Sequence, residues 1–405
     1  MDSPMALMRS APLSGSRYWR GLCVLILLAF LSACSRTPPP ITPLGQPTFA
    51  RYQQETTRWV EEHRRFQTLD KALELTWNTP SETRPAGTAR KGILLVHGLG
   101  DSPGSFTDII PALTQRGFLV RTVLLPGHGT QPADLMPVSV EDWRRVVAEQ
   151  AALLHQEVGE VYLGGFSTGG NLVLEYALQH PDIQGLVLFS PAIRSDEPLD
   201  FLAPLLASVT DWLRPPRPGQ PQQIATRYLR VPTNGFAQFY YSSANVRHLL
   251  AKSPYDKPVL MVLAQHDSVL DTAAMLAQFD KAFPHPASRV IWYGNPPAQP
   301  VSERVLVRSD RLPEWRISQF SHMSVLFSPD NPLYGRTGTL RLCSNGPTTP
   351  AANDCKQRED VWYSDWGYQE PGKTHIRLTF NPYFDWQNQV MASVLSSEGT
   401  VSAAP

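Results

Sequence analysis

A serine enclosed by glycines is the first feature of this chain that could carry out covalent chemistry. Residues 165–169 read Gly-Phe-Ser-Thr-Gly, which places Ser167 at the centre of a G-x-S-x-G motif. The motif follows the short apolar run 161–163 and leads into a helical pattern that starts at Gly170. Glycines at these spacings leave room for a sharp strand-to-helix turn, which exposes the hydroxyl beside a helix N-terminus that favours developing negative charge. Ser167 is therefore a candidate nucleophile for acyl transfer.

Two further glycine turns precede this motif. Residues 97–100 read His-Gly-Leu-Gly after the apolar run 93–96, and residues 125–129 read Leu-Pro-Gly-His-Gly. In order and spacing, residues 90–195 resemble the α/β-hydrolase superfamily, and most closely its monoacylglycerol-lipase and carboxylesterase branch. The resemblance implies ester hydrolysis by a serine, an acid and a histidine that occur in this order along the chain.

By the same resemblance, the 97–100 turn corresponds to the oxyanion loop. The backbone N–H groups of Leu99 and Thr168 would donate to the charged oxygen of the tetrahedral intermediate, and each such donor is worth about 3–4 kcal/mol in other acyl-transfer enzymes. His97 and His128 are expected to be structural. Both precede Ser167, whereas the family's base comes last in the chain.

The acid is expected directly after the apolar run 259–263. The chain there reads Ala-Gln-His-Asp-Ser-Val-Leu-Asp, which resembles the family's acid loop. In that loop the first aspartate after the strand is catalytic, and here it is Asp267. Asp271 is the alternative, although its position suits the N-cap of the following helix. The acid would orient the imidazole and stabilise the imidazolium.

His322 is the predicted base. The histidines that follow Ser167 near plausible strand ends are His266, His285, His322 and His375. His322 stands between Ser321 and Ser324, and we expect it to end a last strand that begins near Trp315. A serine before the histidine resembles the family's histidine loop. His375 is the alternative base.

A regular alternation of strands and helices positions these residues. Continuous apolar runs predict buried strands at 93–96, 118–125, 161–163, 186–189, 259–263 and 290–293, with helical patterns at 106–115, 140–156 and 171–179. This alternation predicts an α/β fold with a mostly parallel central sheet flanked by helices. A strand-like piece at 304–308 and a helical pattern at 384–390 depart from the regular spacing.

Two stretches interrupt the alternation and are predicted to be insertions. Residues 195–255, without a clear strand, are expected to form an apolar cap over the site. Residues 328–378 are expected to form a late loop insertion, whose aromatic residues line a substrate entrance, bind another surface or pack as a satellite core. The hydrolase core then comprises residues 68–194 and 256–395, and residues 396–405 form a flexible tail.

The N-terminal residues are predicted to be an export signal. An uncharged run at 21–33 follows basic residues and is shorter than the roughly 20 residues of a membrane span. Residues 31–34 read Leu-Ser-Ala-Cys, which resembles the bacterial lipobox. The resemblance implies that residues 1–33 are a cleaved signal peptide and that Cys34 carries lipid. A signal or short anchor without lipid is the alternative.

The lipobox also implies a location in the bacterial cell envelope. Ser35, in place of aspartate, favours lipid anchoring to the outer membrane. Residues 34–67 would then hold the lipidated cysteine, a proline-rich tether and an N-terminal extension, with a surface helix indicated near residues 50–66.

Cys343 and Cys355 remain in the mature chain as an even pair. Export favours a disulfide between them, and two free thiols are the alternative. No second cysteine or histidine pair lies nearby at ligand spacing, so no metal is expected. Lys+Arg and Asp+Glu both number 36, and this balance does not indicate a nucleic-acid partner. No cofactor is expected either.

The sequence therefore favours a lipid-anchored serine carboxylic-ester hydrolase that forms an acyl-enzyme and takes a small ester with an apolar acyl group. Amide or peptide cleavage, or acyl transfer, by the same three residues is one alternative. A non-catalytic surface lipoprotein on a hydrolase scaffold is another. A serine nucleophile argues against haloalkane dehalogenases and epoxide hydrolases, which need a carboxylate there.

Overall fold

The computed structural model describes residues 41–346, 355 and 358–396. The predicted signal peptide, Cys34 and nearly all of the predicted tail lie outside the described residues. Among the helices within those ranges, none is both long and apolar enough to cross a membrane.

Parallel strands form the centre of the fold. The strands are β1 (Glu82–Thr83), β2 (Lys91–Val96), β3 (Phe118–Val123), β4 (Glu160–Phe166), β5 (Ile183–Phe189), β6 (Gln223–Ile224), β7 (Arg227–Tyr228), β8 (Val259–Ala264), β9 (Arg289–Tyr293), β10 (Val305–Arg308), β11 (Trp362–Ser364) and β12 (His375–Arg377). Eight of them form one sheet in the order β1-β3-β2-β4-β5-β8-β9-β10. Every pair in it is parallel except β1 with β3. The predicted mostly parallel sheet is confirmed.

Helices cover both faces of this sheet. They are α1 (Phe49–His63), α2 (Lys71–Trp77), α3 (Ile109–Thr114), α4 (Val140–His155), α5 (Thr168–Gln179), α6 (Ala203–Ala207), α7 (Thr233–Lys252), α8 (Thr272–Ala282) and α9 (Phe384–Leu395). Leu94 and Val96 of β2 pack in the cluster that includes α4, α5 and α8. Ile93 and Leu95 point to the other cluster, with α3 and α9. Successive side chains of a strand face opposite sides, so each strand contributes to both layers.

The cap region 195–255 contains more regular structure than its sequence indicated. It holds the short helix α6, the long helix α7 and a hairpin of β6 and β7, where no clear strand was expected. The two strands have only two residues each, which is too short for a period-of-two pattern to be visible in the sequence. Several of its large apolar side chains are exposed, among them Leu199, Phe201, Leu205, Val209 and Phe236.

The late insertion 328–378 is part of the hydrophobic core and more than a loop. It contributes the parallel pair β11 and β12, and Tyr334, Tyr363 and Ile376 are buried with α9 and the sheet. The aromatic rings at its surface are paired with cations, since Lys373 lies over Trp362 and Arg377 over Trp366. The predicted Cys343–Cys355 disulfide is present, with Cα atoms 5.8 Å apart. These contacts support the satellite-core interpretation.

Two predicted elements were wrong. Residues 106–115 are not one helix: a 3₁₀ turn at Pro103–Phe106 is followed by α3, because Pro111 has no N–H with which to continue a helix from the turn. The strand expected near Trp315 is absent from this described stretch. Pro313–Trp315 form a 3₁₀ turn and Arg316 is left-handed at φ 55°, so the chain bends instead of extending.

The two pieces that departed from the regular spacing both belong to the core. Residues 304–308 supply β10, which pairs in parallel with β9 and ends the sheet. Residues 384–390 begin α9, which packs on the sheet through Val390, Met391 and Val394. The core therefore resumes after the late insertion.

Candidate active site

Ser167 lies at the sharp turn that joins β4 to α5. Its φ is 53°, a left-handed backbone that a serine adopts only under constraint. A Cβ on Gly165 would lie 2.5 Å from the backbone of Gly169, and a Cβ on Gly169 would lie 2.0 Å from the carbonyl oxygen of Val96. Only glycine fits these two positions. The tight packing therefore fixes the turn that presents Ser167 at the N-terminus of α5.

His322 and Asp267 are in direct contact. His322 Nδ1 is 2.7 Å from Asp267 Oδ2, and their side chains are 10% and 0% exposed. Asp267 follows β8, and its Oδ1 also accepts from Val269 N–H at 2.9 Å. The ring of His322 packs against Phe166, with 5.0 Å between ring centroids, so it lies beside the residue that precedes Ser167. The fold thus brings the predicted nucleophile, acid and base to one edge of the sheet.

The alternative acid is used as a helix cap. The Asp271 carboxylate accepts from Ala274 N–H at 3.0 Å at the start of α8, and it lies 3.1 Å from the Arg194 guanidinium. Its position is the N-cap position that the sequence had indicated. Asp271 has no hydrogen bond to His322 within the described residues.

The alternative histidines lie elsewhere. His375, on β12, has its Nε2 3.1 Å from Ser318 Oγ, and His266 has its Nδ1 2.5 Å from Asp310 Oδ2. That hydrogen bond raises the pKa of His266 above its ordinary value. His285 Nδ1 accepts from the backbone N–H of Ala287, two residues on. Of the histidines weighed from the sequence, His322 is the one whose ring is hydrogen-bonded to the Asp267 carboxylate within the described residues.

The 97–100 loop lies against the nucleophile. A Cβ on Gly98 would be 3.0 Å from Ser167 Cβ, so the loop backbone approaches as closely as a glycine allows. Within the described residues, the N–H groups of Leu99 and Thr168 have no hydrogen-bond acceptor. Both donors therefore remain available for an oxygen bound beside Ser167.

His97 and His128 hold this loop and are not exposed to solvent. Leu125 N–H donates to His97 Nε2 at 3.1 Å, which leaves the proton on Nδ1, where it donates to Gly98 O at 2.8 Å. Gly100 N–H donates to His128 Nε2 at 3.0 Å. Burial lowers the pKa of His97 to about 4 and that of His128 to about 3, so both rings are neutral near pH 7. These contacts agree with a structural role.

Sequence reasoning missed two charged residues next to the acid. Asp365 and Arg377 come from the late insertion, and the charge of Asp267 acts on both. Burial raises the pKa of Asp365 to about 6, although Arg377 and Ser268 oppose the rise, and burial lowers the pKa of Arg377 to about 10. Their side chains reach the site from more than 100 positions beyond the motif that identified it, and no local pattern marks them.

The described residues offer no site for a metal ion. No group of three or more His, Cys, Asp or Glu side chains among them has the arrangement of ligands.

Comparisons with known proteins agree with this architecture. Residues 87–295 match the model of the family described as serine aminopeptidase, S33. Over 102 residues the chain is 36% identical to a thermostable monoacylglycerol lipase of Bacillus sp. (strain H-257), which covers 25% of this chain and 41% of that protein. Over 185 residues it is 25% identical to a carboxylesterase of Bacillus subtilis (strain 168), covering 45% of this chain and 74% of that protein.

The chain also matches solved structures at low similarity. The crystal structure of a monoacylglycerol lipase from Paleococcus ferrophilus is 22% identical, with a TM-score of 0.42, and the match covers 53% of this chain and 89% of that one.

Proposed function

The chain belongs to the serine aminopeptidase, S33, family and has its α/β-hydrolase fold, and we propose that it is a serine carboxylic-ester hydrolase with Ser167, Asp267 and His322 as its catalytic residues. The contact between His322 Nδ1 and Asp267 Oδ2 carries the proposal. A buried carboxylate on one imidazole nitrogen leaves the other nitrogen free to act as a base.

The proposed reaction proceeds in two halves. Ser167 Oγ attacks the acyl carbonyl while His322 Nε2 takes its proton, and the N–H groups of Leu99 and Thr168 bind the oxyanion. His322 then gives the proton to the leaving alcohol, and the acyl group stays on Ser167. Water, deprotonated by His322, attacks the acyl-enzyme and releases the carboxylic acid. Asp267 keeps the imidazole oriented and stabilises its cation throughout.

Ester cleavage is preferred over the aminopeptidase chemistry in the family's description. The relatives named monoacylglycerol lipase and carboxylesterase support an ester.

The proposed substrate carries an apolar acyl group. Residues 195–255 supply the apolar side chains for a cap, among them Leu199, Phe201, Leu202, Leu205, Leu206, Trp212, Phe236, Phe239, Tyr240 and Tyr241. Ligand sites lined mainly by such side chains favour acyl chains over sugars or phosphates.

The proposed location is the bacterial cell envelope, with the enzyme anchored by lipid on Cys34 and the outer membrane favoured over the inner. The lipobox-like residues 31–34 and Ser35 support this proposal.

A panel of p-nitrophenyl esters of increasing acyl length, run beside the matching p-nitroanilides, tests the proposed reaction. We expect turnover of the esters and much slower turnover of the anilides by the detergent-solubilised protein. Faster cleavage of the anilides would favour the amidase alternative. Absence of turnover for every ester and anilide would favour a non-catalytic lipoprotein.

A further inference from the structure

Both backbone polar groups of Gly100, the last residue of the 97–100 loop, are held from outside that loop. Its N–H donates to His128 Nε2 at 3.0 Å, and its carbonyl accepts from Tyr228 N–H at 2.7 Å. Gly100 has a φ of 71° and directly follows Leu99, the proposed oxyanion donor. The direction of the Leu99 N–H therefore depends on how firmly His128 and Tyr228 are held.

Tyr228 and His128 form one rigid unit. The Tyr228 hydroxyl donates to Gly127 O at 3.1 Å and accepts from Thr130 N–H at 3.1 Å. Its ring is nearly parallel to that of His128, at 5° and 6.0 Å between centroids. These contacts fix the β6–β7 hairpin of the cap to the turn that follows β3. The hairpin and the turn each make one hydrogen bond to the backbone of Gly100.

Arg64, in the N-terminal extension, is hydrogen-bonded both to the turn that follows β3 and to the β6–β7 hairpin. Its side chain is 1% exposed. Its Nη1 donates to Gly129 O at 2.6 Å, next to His128, and its Nη2 donates to Ala225 O at 2.7 Å in the hairpin. Asn78 Nδ2 donates to the same Ala225 carbonyl at 2.7 Å.

The guanidinium is itself held by Glu74, whose side chain is fully buried. Arg64 Nε donates to Glu74 Oε1 at 2.8 Å, and the carboxylate also accepts from Gln67 N–H, Thr68 N–H and Thr68 Oγ. A buried ion pair is retained when its remaining groups are satisfied in this way. Its bonds fix the geometry of Arg64 and orient the two terminal nitrogens, Nη1 and Nη2.

We propose that Arg64, with Glu74 and Asn78, is a positioning group for the oxyanion loop, so that the N-terminal extension completes the catalytic site. The segment lies outside residues 87–295, which match the family, and nothing in the family match assigns it a role. The proposal rests on the proposed ester hydrolysis, in which Leu99 N–H binds the oxyanion. Arg64 acts through Gly129 and Ala225 on Gly100, and touches no reacting atom.

Kinetics of three variants of the full chain in detergent test this. Arg64→Met and Asn78→Ala should lower kcat on a p-nitrophenyl ester about 10- to 100-fold while KM stays within about two-fold, because the oxyanion contact forms only in the transition state. Affinity for an alkyl boronic acid, whose tetrahedral serine adduct needs the same N–H groups, should fall with kcat. Arg64→Lys should recover part of the loss.

Arg121→Met is the matched control. Arg121 is also 1% exposed and is paired with the carboxylates of Glu82 and Glu157. In the part of the chain that the structure describes, its side chain has no hydrogen bond to the hairpin or to the 97–100 loop. It should lose thermal stability without a comparable fall in kcat. An equal fall in kcat in this control, or wild-type kcat in Arg64→Met and Asn78→Ala, would overturn the proposal.

Hydrogen–deuterium exchange gives a second readout that needs no turnover. Peptides covering residues 97–102 should exchange faster in Asn78→Ala and Arg64→Met than in Arg121→Met, and equal exchange would contradict the proposed role. This comparison stands even if the wild-type protein hydrolyses no ester, an outcome that would refute the proposed function alone. If Arg64→Met does not fold, Asn78→Ala and Arg64→Lys carry both measurements.

Discussion

At the scale of single residues, the site depends on how two aspartates four positions apart are used. Asp267 holds His322, whereas Asp271 caps α8 through Ala274 N–H. Asp267→Asn should therefore reduce kcat/KM by several orders of magnitude, because the amide favours the wrong imidazole tautomer. Asp271→Asn should retain most activity, since asparagine is an equally good N-cap. Steady-state kinetics on one ester show which aspartate is the catalytic acid. An inactive Asp271→Asn together with an active Asp267→Asn would assign that role to Asp271.

His97 and His128, both fully buried, make the fold sensitive to acid. The pKa of His97 is about 4 and that of His128 about 3 in the folded protein, both lowered by burial from an ordinary 6.5. The unfolded chain therefore binds more protons below pH 6.5. Their contribution to stability is fully present above that pH and declines as the pH falls towards 4, by up to about 1.4 kcal/mol per pH unit for each ring.

Thermal unfolding between pH 4 and pH 8 measures this effect. We expect the Tm to fall on the acid side, and to fall less steeply in His128→Gln, which removes one of the two titrating rings. An identical acid slope in wild type and variant would show that His128 is not protonated on unfolding in this range.

The residues that sequence reasoning found are those with a local signature. Ser167 was recognisable because its glycines and flanking elements are contiguous, and Asp267 because it follows a buried strand. Arg64 and Arg377 had no such signature, since each acts across more than 100 positions through contacts that only the fold creates. Their proposed roles depend on which groups the fold places within hydrogen-bond or charge distance of their side chains.

At the scale of elements, the late insertion is held to the core by packing, and one disulfide closes a loop within the insertion. The Cys343–Cys355 disulfide closes a short loop, for which the chain-entropy model gives about 3 kcal/mol at a loop of roughly 15 residues. The double variant Cys343→Ser/Cys355→Ser should therefore have a lower Tm and an unchanged kcat on a p-nitrophenyl ester. A large fall in kcat at a temperature where the variant is folded would contradict this separation of roles.

Strands with continuous apolar runs were predictable because burial on both faces leaves a strong signal. The elements missed were those whose form is decided by a single backbone constraint. Pro111 has no N–H to continue a helix from the preceding turn, so the expected helix begins only at Ile109. Pro313 with the left-handed Arg316 replaced an expected strand by a turn. The hairpin of β6 and β7 was too short to show a period at all.

At the scale of the whole molecule, the enzyme is proposed to work as a domain tethered to a membrane. Cys34→Ala should release it from the membrane fraction, or leave it as an uncleaved precursor, while the catalytic domain still folds. Lipid chains contribute about 0.8 kcal/mol per buried CH₂, so several chains on one cysteine anchor firmly where one would not. Metabolic labelling with a palmitate analogue, followed by fractionation, checks this. Label that persists in Cys34→Ala, or is missing from the wild type, would mean an ordinary export signal.

The overall architecture was readable because the order of strands, turns and motifs is distributed along the whole chain. The sequence did not indicate how the N-terminal segment, the cap and the late insertion contact the hydrolase core. The segment after α1, the cap hairpin and the late insertion each contribute a residue whose contacts or charge act on the loops of the proposed site: Arg64, Tyr228 and Arg377. Such cooperation arises from three-dimensional contacts between segments that share no sequence pattern.

The central claim, that Ser167 is an activated nucleophile, is tested most directly by covalent labelling with a fluorophosphonate probe. The folded full-length protein should take up one probe molecule, and peptide mapping should place it on the segment that contains Ser167. Ser167→Ala should fold with a similar Tm and take up none. Labelling of Ser167→Ala at the wild-type rate, or a wild-type adduct on a different serine, would contradict the account.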